Sequence, residues 1–93
     1  MKESTMVGHC KTWLNDQPQS FFVKIHGGPC QLAGISDLIG VYHGRFMAIE
    51  LKVGKNKASK KQLWFLDKII NAGGAGTVCW SLDEVKTFIR EEG

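Results

Sequence analysis

Little in this sequence points to a membrane, a secretory route or a cross-linked scaffold. No apolar run approaches the length of a membrane span, and the amino terminus carries no signal-peptide core, so cytoplasmic residence in a bacterial cell or phage-infected host is the expectation. The three cysteines, Cys10, Cys30 and Cys79, are widely spaced and odd in number. They lack paired zinc-type spacing and argue against a disulfide framework; free thiols, buried or half-buried, are expected. His9, His26 and His43 likewise lack metal-ligand spacing. Internal repeats, low-complexity tracts and interdomain linkers are absent, and 93 residues suit one domain with a modest core.

What is present is an ordinary globular composition, 43% hydrophobic and 23% charged. The net charge of +3 is mild, but its distribution is uneven. Lys52, Lys55, Lys57, Lys60 and Lys61 fall in one short segment without an acidic residue. Alone, such a cluster is a solvated loop; beside a chemical site it becomes a means of neutralising phosphates.

Apolar residues recur at helical spacing from Glu3 to about Asn15, and Asn15-Asp16-Gln17-Pro18 stops that helix. Ser20 to His26 reads as a strand, broken by Gly27-Gly28-Pro29 and followed by a loop to Gly34. Two further β-prone runs, Asp37 to Tyr42 and Arg45 to Val53, flank His43-Gly44, which suits a tight hairpin. Ser59 with Gln62 forms a capping-box pattern for a helix from about Lys60 to Ala72, burying Leu63, Leu66, Ile69 and Ile70. A short strand, Thr77 to Trp80, precedes a last helix capped by Ser81 and Glu84. The order αβββαβα, with a right-handed strand–helix–strand crossover, predicts an α+β fold: a mixed sheet with helices on both faces. Trp13, Trp64 and Trp80 sit in apolar periodic patterns and are expected in the core.

A two-residue hairpin loop pairs Tyr42 with Arg45, Val41 with Phe46, Gly40 with Met47, and so Asp37 with Glu50. Opposed residues lie with Cβ atoms about 5 Å apart. Two carboxylates placed so, at the ends of apolar strands, repel unless a cation sits between them. A hard divalent ion such as Mg²⁺ takes one or two carboxylates. Lys52 falls on the same strand face as Glu50, where its ammonium can stabilise charge growing on a phosphate, and the Leu51 carbonyl could add a neutral ligand. Two acids, a cation and a lysine suffice for phosphodiester hydrolysis.

Gly34-Ile35-Ser36-Asp37, then Phe46-Met47-Ala48-Ile49-Glu50-Leu51-Lys52, then Ser59-Lys60-Lys61-Gln62 resembles the VRR-NUC domain, the virus-type replication-repair branch of the PD-(D/E)XK nuclease superfamily. The resemblance spans nearly the whole chain, with one departure: Ser36 stands where a proline usually precedes the aspartate. It implies a restriction-endonuclease-like core and Mg²⁺ or Mn²⁺ held by Asp37, Glu50 and the Leu51 carbonyl. Lys52 would assist the attacking water, and Gln62 would orient groups at the site. A glutamate on the first helix often joins such sites; Glu3 is the candidate here, and a surface role fits it equally well.

Single-domain members resemble junction-resolving homodimers. The expected activity is therefore a metal-dependent endonuclease acting on branched DNA, a four-way junction above all. Arg45, Lys55, Lys57, Ser59, Lys60 and Lys61 are the candidate DNA contacts, positioning the backbone rather than reading bases. The rival readings are a catalytically silent DNA-binding module and an accessory subunit of a larger repair nuclease.

Overall fold

The computed structural model describes residues 1–26 and 34–92. Within them the chain runs α1 (Glu3–Asn15), β1 (Ser20–Lys24), β2 (Leu38–Tyr42), β3 (Arg45–Leu51), α2 (Lys60–Asn71), β4 (Ala75–Cys79) and α3 (Leu82–Glu92). This is the αβββαβα order of the sequence pattern. The four strands form one sheet in the order β1-β2-β3-β4, antiparallel through β3 and parallel between β3 and β4. Cys30 and the Gly27-Gly28-Pro29 break lie outside the described residues.

Local chemistry sets each boundary. At the end of α1 the Asn15 amide imitates a strand, accepting from the Phe22 amide at 2.7 Å and donating to the Phe22 carbonyl at 3.0 Å. The helix is thereby stitched to β1. His43 and Gly44, with φ of 51° and 83°, make the two-residue turn between β2 and β3. Two positive φ values match the twist of a hairpin and fix its register. Ser59 caps α2, and Gly73 at φ 101° follows the helix end, leaving right-handed helical geometry where L side chains are disfavoured.

Sheet alternation sorts the side chains. Phe22, Leu38, Met47, Ile49, Leu51, Ala75 and Cys79 face α1 and α3, joining Met6, Val7, Cys10, Leu14, Val85 and Ile89 in one buried cluster. Burial pushes the thiols of Cys10 and Cys79 up to about 11, so both are inert, apolar fillers. On the other face α2 packs over β3 and β4, where a Cβ on Gly76 would lie 3.1 Å from the Leu66 side chain. Glycine in a strand lets the helix approach closely.

That second face is only partly covered, which corrects four expectations. Leu63, Trp64 and Ile70 are exposed because α2 has sheet beneath only one side, and Trp80 is exposed because it lies past the end of β4, where its indole reaches the Asn56 carbonyl. Trp13 alone of the three tryptophans packs against the core. Beyond α2, β1, β2 and the start of β3 leave Phe21, Val23, Val41 and Phe46 exposed on the same sheet face.

Arg45 fastens the hairpin end of β3. Its guanidinium donates to the carbonyls of Gly73 (3.4 Å), Gly74 (3.3 Å) and Glu92 (3.0 Å), and lies 3.7 Å from the Glu92 carboxylate. Arg45→Ala should therefore lower unfolding free energy by about 1 kcal/mol in denaturant titrations while leaving DNA affinity within about twofold. A large affinity loss without a stability change would show that the guanidinium serves phosphates instead.

Candidate active site

The site forms where β2 begins and β3 ends. Leu38 pairs with Ile49, so the next opposed residues are Asp37 and Glu50. Asp37 is held from two sides: its carbonyl accepts from the Ile25 amide at 2.9 Å, and its Oδ2 accepts from the Leu51 amide at 2.9 Å. The amide and carbonyl of one strand residue point to the same neighbour, so the Leu51 carbonyl is turned toward Asp37 as well.

Glu50 follows Ala48 on the α2 face and is 1% exposed. Its Oε2 accepts from Gln62 Nε2 at 3.1 Å and lies 3.5 Å from Lys52 Nζ. Its Oε1 is buried without a partner. Burial, then the like charge of Asp37, push the Glu50 carboxyl up to about 8 against the opposing pull of Lys52. Just before Asp37, Ser36 is also buried, its Oγ unpartnered.

Gln62 is wired at both ends. Its Oε1 accepts from the Ser59 amide at 2.8 Å while its backbone amide donates to Ser59 Oγ at 3.1 Å, completing the capping box. The same side chain that starts α2 thus orients Glu50. Gly34 presses on this helix start: at φ 85°, a Cβ there would stand 2.5 Å from the Lys61 carbonyl oxygen. Only glycine lets the segment leading to Asp37 pass so close to α2. The glycine was visible in the sequence motif, but its need became visible only with the packing.

Of the residues singled out in the sequence, Asp37, Glu50, Leu51, Lys52 and Gln62 come together. Among the described residues no three His, Cys, Asp or Glu side chains group as a metal cage, so Glu3 does not complete one with the two acids. Lys55, Lys57, Ser59, Lys60 and Lys61 are exposed along the segment that links the acids to α2. Arg45 is not at the site: five strand residues, roughly 17 Å, separate it from Glu50. Its guanidinium is already occupied by the carbonyls and Glu92.

The donor set fits a hard divalent cation. It offers a backbone carbonyl and two carboxylates, one of them with a buried oxygen lacking any partner, an arrangement that Mg²⁺ or Mn²⁺ would satisfy with oxygen ligands.

The sequence matches no family model and no curated protein. A solved structure described as a "VRR_NUC domain protein" superposes with a TM-score of 0.78 at 19% identity, covering 99% of this chain and 88% of that one. The chain has a VRR-NUC-type fold. At that identity the likeness is one of architecture, and the VRR-NUC-type frame accounts for the three helices and the mixed four-stranded sheet.

The raised Glu50 carboxyl makes metal-free stability depend on pH. Between the ordinary value of 4.5 and about 8, the folded chain holds a proton that the unfolded chain releases. Stability therefore falls as pH rises across that window, by on the order of a few kcal/mol, and levels off above it. Glu50→Gln, which keeps the shape and cannot ionise, should flatten the profile and be the more stable variant at pH 8 in chelator. Parallel profiles for the two proteins would contradict the assignment.

Proposed function

We propose that this chain is a divalent-metal-dependent DNA endonuclease, with branched DNA, above all a four-way junction, as substrate and a homodimer as the active state. The observation that carries the reading is the buried, partnerless Oε1 of Glu50 facing a second carboxylate on the neighbouring strand. Such an atom costs free energy in the isolated protein and gains a partner when a cation is held. The VRR-NUC-type frame and the exposed lysines beside the acids support the same reading.

Asp37, Glu50 and the Leu51 carbonyl would hold Mg²⁺ or Mn²⁺. When bound, that ion supplies Lewis acidity toward a phosphoryl oxygen and lowers the pKa of water. The rest falls to the chain. Gln62 and Lys52 both engage Oε2 of Glu50, which leaves Oε1 as the oxygen open to a ligand. Lys52 Nζ, 15% exposed as a side chain, reaches the site's surface and can offset negative charge on the phosphate as it becomes five-coordinate. Lys55, Lys57, Lys60 and Lys61 hold the flanking phosphates, which gives affinity without base reading.

Labelled junction, flap and duplex DNA incubated with Mg²⁺, with Mn²⁺ and with chelator tests the activity. Cleavage should require the ion, favour the junction, and fall about 10²–10³-fold in Lys52→Ala with binding retained. Binding without cleavage under every ion would favour the catalytically silent module instead. A chain that neither binds nor cuts would favour the accessory subunit.

The homodimer rests on the uncovered sheet face. Phe21 is 68% exposed and Val41 44%, an apolar surface on the side of the sheet that carries Glu50. Two sites related by a two-fold axis suit paired cuts in a symmetric junction. Sedimentation should give twice the monomer mass for the wild type and the monomer mass for Phe21→Asp, which remains folded because the side chain is exposed. A monomer that still makes paired cuts would refute this part.

A further inference from the structure

A cavity of about 410 Å³ opens beyond the carboxyl ends of the parallel strands β3 and β4, walled by Met6, His9, Val53, Trp80, Ser81 and Leu82 among others. Crevices at that end of parallel strands are where open α/β sheets take ligands, and this volume is in the range of small-molecule sites. Val53 directly follows Lys52, so the cavity wall begins one residue from the proposed catalytic lysine. The cavity is not the acid site; it lies next to it along the chain.

The turn that continues from Val53 and Gly54 of the cavity wall carries Lys55 and Lys57 and is held in place. The Asn56 amide donates to the Val53 carbonyl at 3.1 Å, closing a turn with Gly54 at φ 59°. The Lys52 amide donates to the Cys79 carbonyl at 3.0 Å, and Trp80 Nε1 donates to the Asn56 carbonyl at 2.8 Å. Both strands' ends thus brace the turn that presents Lys55 and Lys57, and neither lysine pairs with an acid among the described residues. The Trp80 N–H is spent on the turn, yet the residue is 39% exposed and lines the cavity.

An apolar, aromatic-walled cavity, followed along the chain by a braced turn that carries two lysines, suits a ligand that is flat and apolar in one part and anionic in the next. A nucleotide has that form, and a base of any identity can stack on an indole face. We infer that this cavity is a nucleotide subsite: it takes an unpaired base of the bound DNA against Trp80, while the adjoining phosphate rests on the Lys55–Lys57 turn. The inference rests on the nuclease reading and deepens it. It implies that the branch point of a bound junction is opened, so that an unpaired nucleotide is presented near the scissile bond.

The test compares a fluorescent oligothymidylate with the same strand carrying abasic sites, each titrated by anisotropy in chelator so that nothing is cut. The wild type should bind the base-bearing strand about tenfold more tightly. Trp80→Ala should bind the two alike. Trp80→Phe, which keeps a ring and loses the N–H clamp, should still discriminate but with a shallower dependence on salt, because the lysine turn is released. Trp64→Ala, removing the more exposed tryptophan on α2, should discriminate like the wild type. Equal wild-type affinities for the two strands would overturn the subsite whether or not the variants fold, as would full discrimination in a folded Trp80→Ala. Equal affinities accompanied by Mg²⁺-dependent cleavage would overturn the subsite alone. No binding to any DNA would overturn the nuclease reading with it.

Discussion

Burying the Glu50 carboxylate beside Asp37 imposes a cost that the neighbouring residues are arranged to manage. Burial and a like charge both favour its neutral form, yet Lys52 and Gln62 are placed to favour the charged one. The balance leaves one oxygen served twice and the other without a partner. A protein selected for stability alone would put an apolar side chain at such a strand position, where replacing a buried charge often costs nothing. The arrangement makes sense if the missing partner arrives from outside as a cation.

The same few contacts build the fold and tune the site. Gln62 starts α2 through its capping box and orients Glu50 with its remaining donor. Gly34 lets the chain pass against α2 on its way to Asp37, and Asp37 then ties β2 to the Leu51 amide at the end of β3. At the sheet's carboxyl end Trp80 fixes the lysine turn. Disturbing the start of α2 would thus loosen the acids as well as the helix, since both share one glutamine.

Much of this is legible in the sequence. His43-Gly44 suits a two-residue turn, and a loop of two or four residues sets Asp37 against Glu50 where an odd loop or a bulge would not; the observed register, with Leu38 opposite Ile49, is that of the two-residue turn. Ser59 and Gln62 announced the start of α2 because capping chemistry is local. The misses concern packing between distant segments. β4 begins at Ala75, earlier than its β-branched residues suggest, because Ala75 and Gly76 are small to admit the core and α2. Leu63, Ile70 and Trp64 follow a helical apolar pattern, but periodicity does not reveal how wide a sheet lies under a helix. The partners that Arg45 finds, Gly73, Gly74 and Glu92, are 28 or more residues away in sequence and cannot be read from it. Nothing in the pattern disclosed that Trp80 reaches the lysine turn.

The most direct test of the central claim is calorimetric titration of Mn²⁺ into metal-free protein at pH 7, repeated in buffers of different ionisation enthalpy. With its carboxyl pushed up to about 8, Glu50 is mostly protonated under those conditions and must give up that proton to serve as a ligand. The account predicts saturable uptake with close to one proton released per ion bound, and loss of both in Glu50→Gln. Absence of uptake, or uptake with no proton released and undiminished in Glu50→Gln, would contradict it.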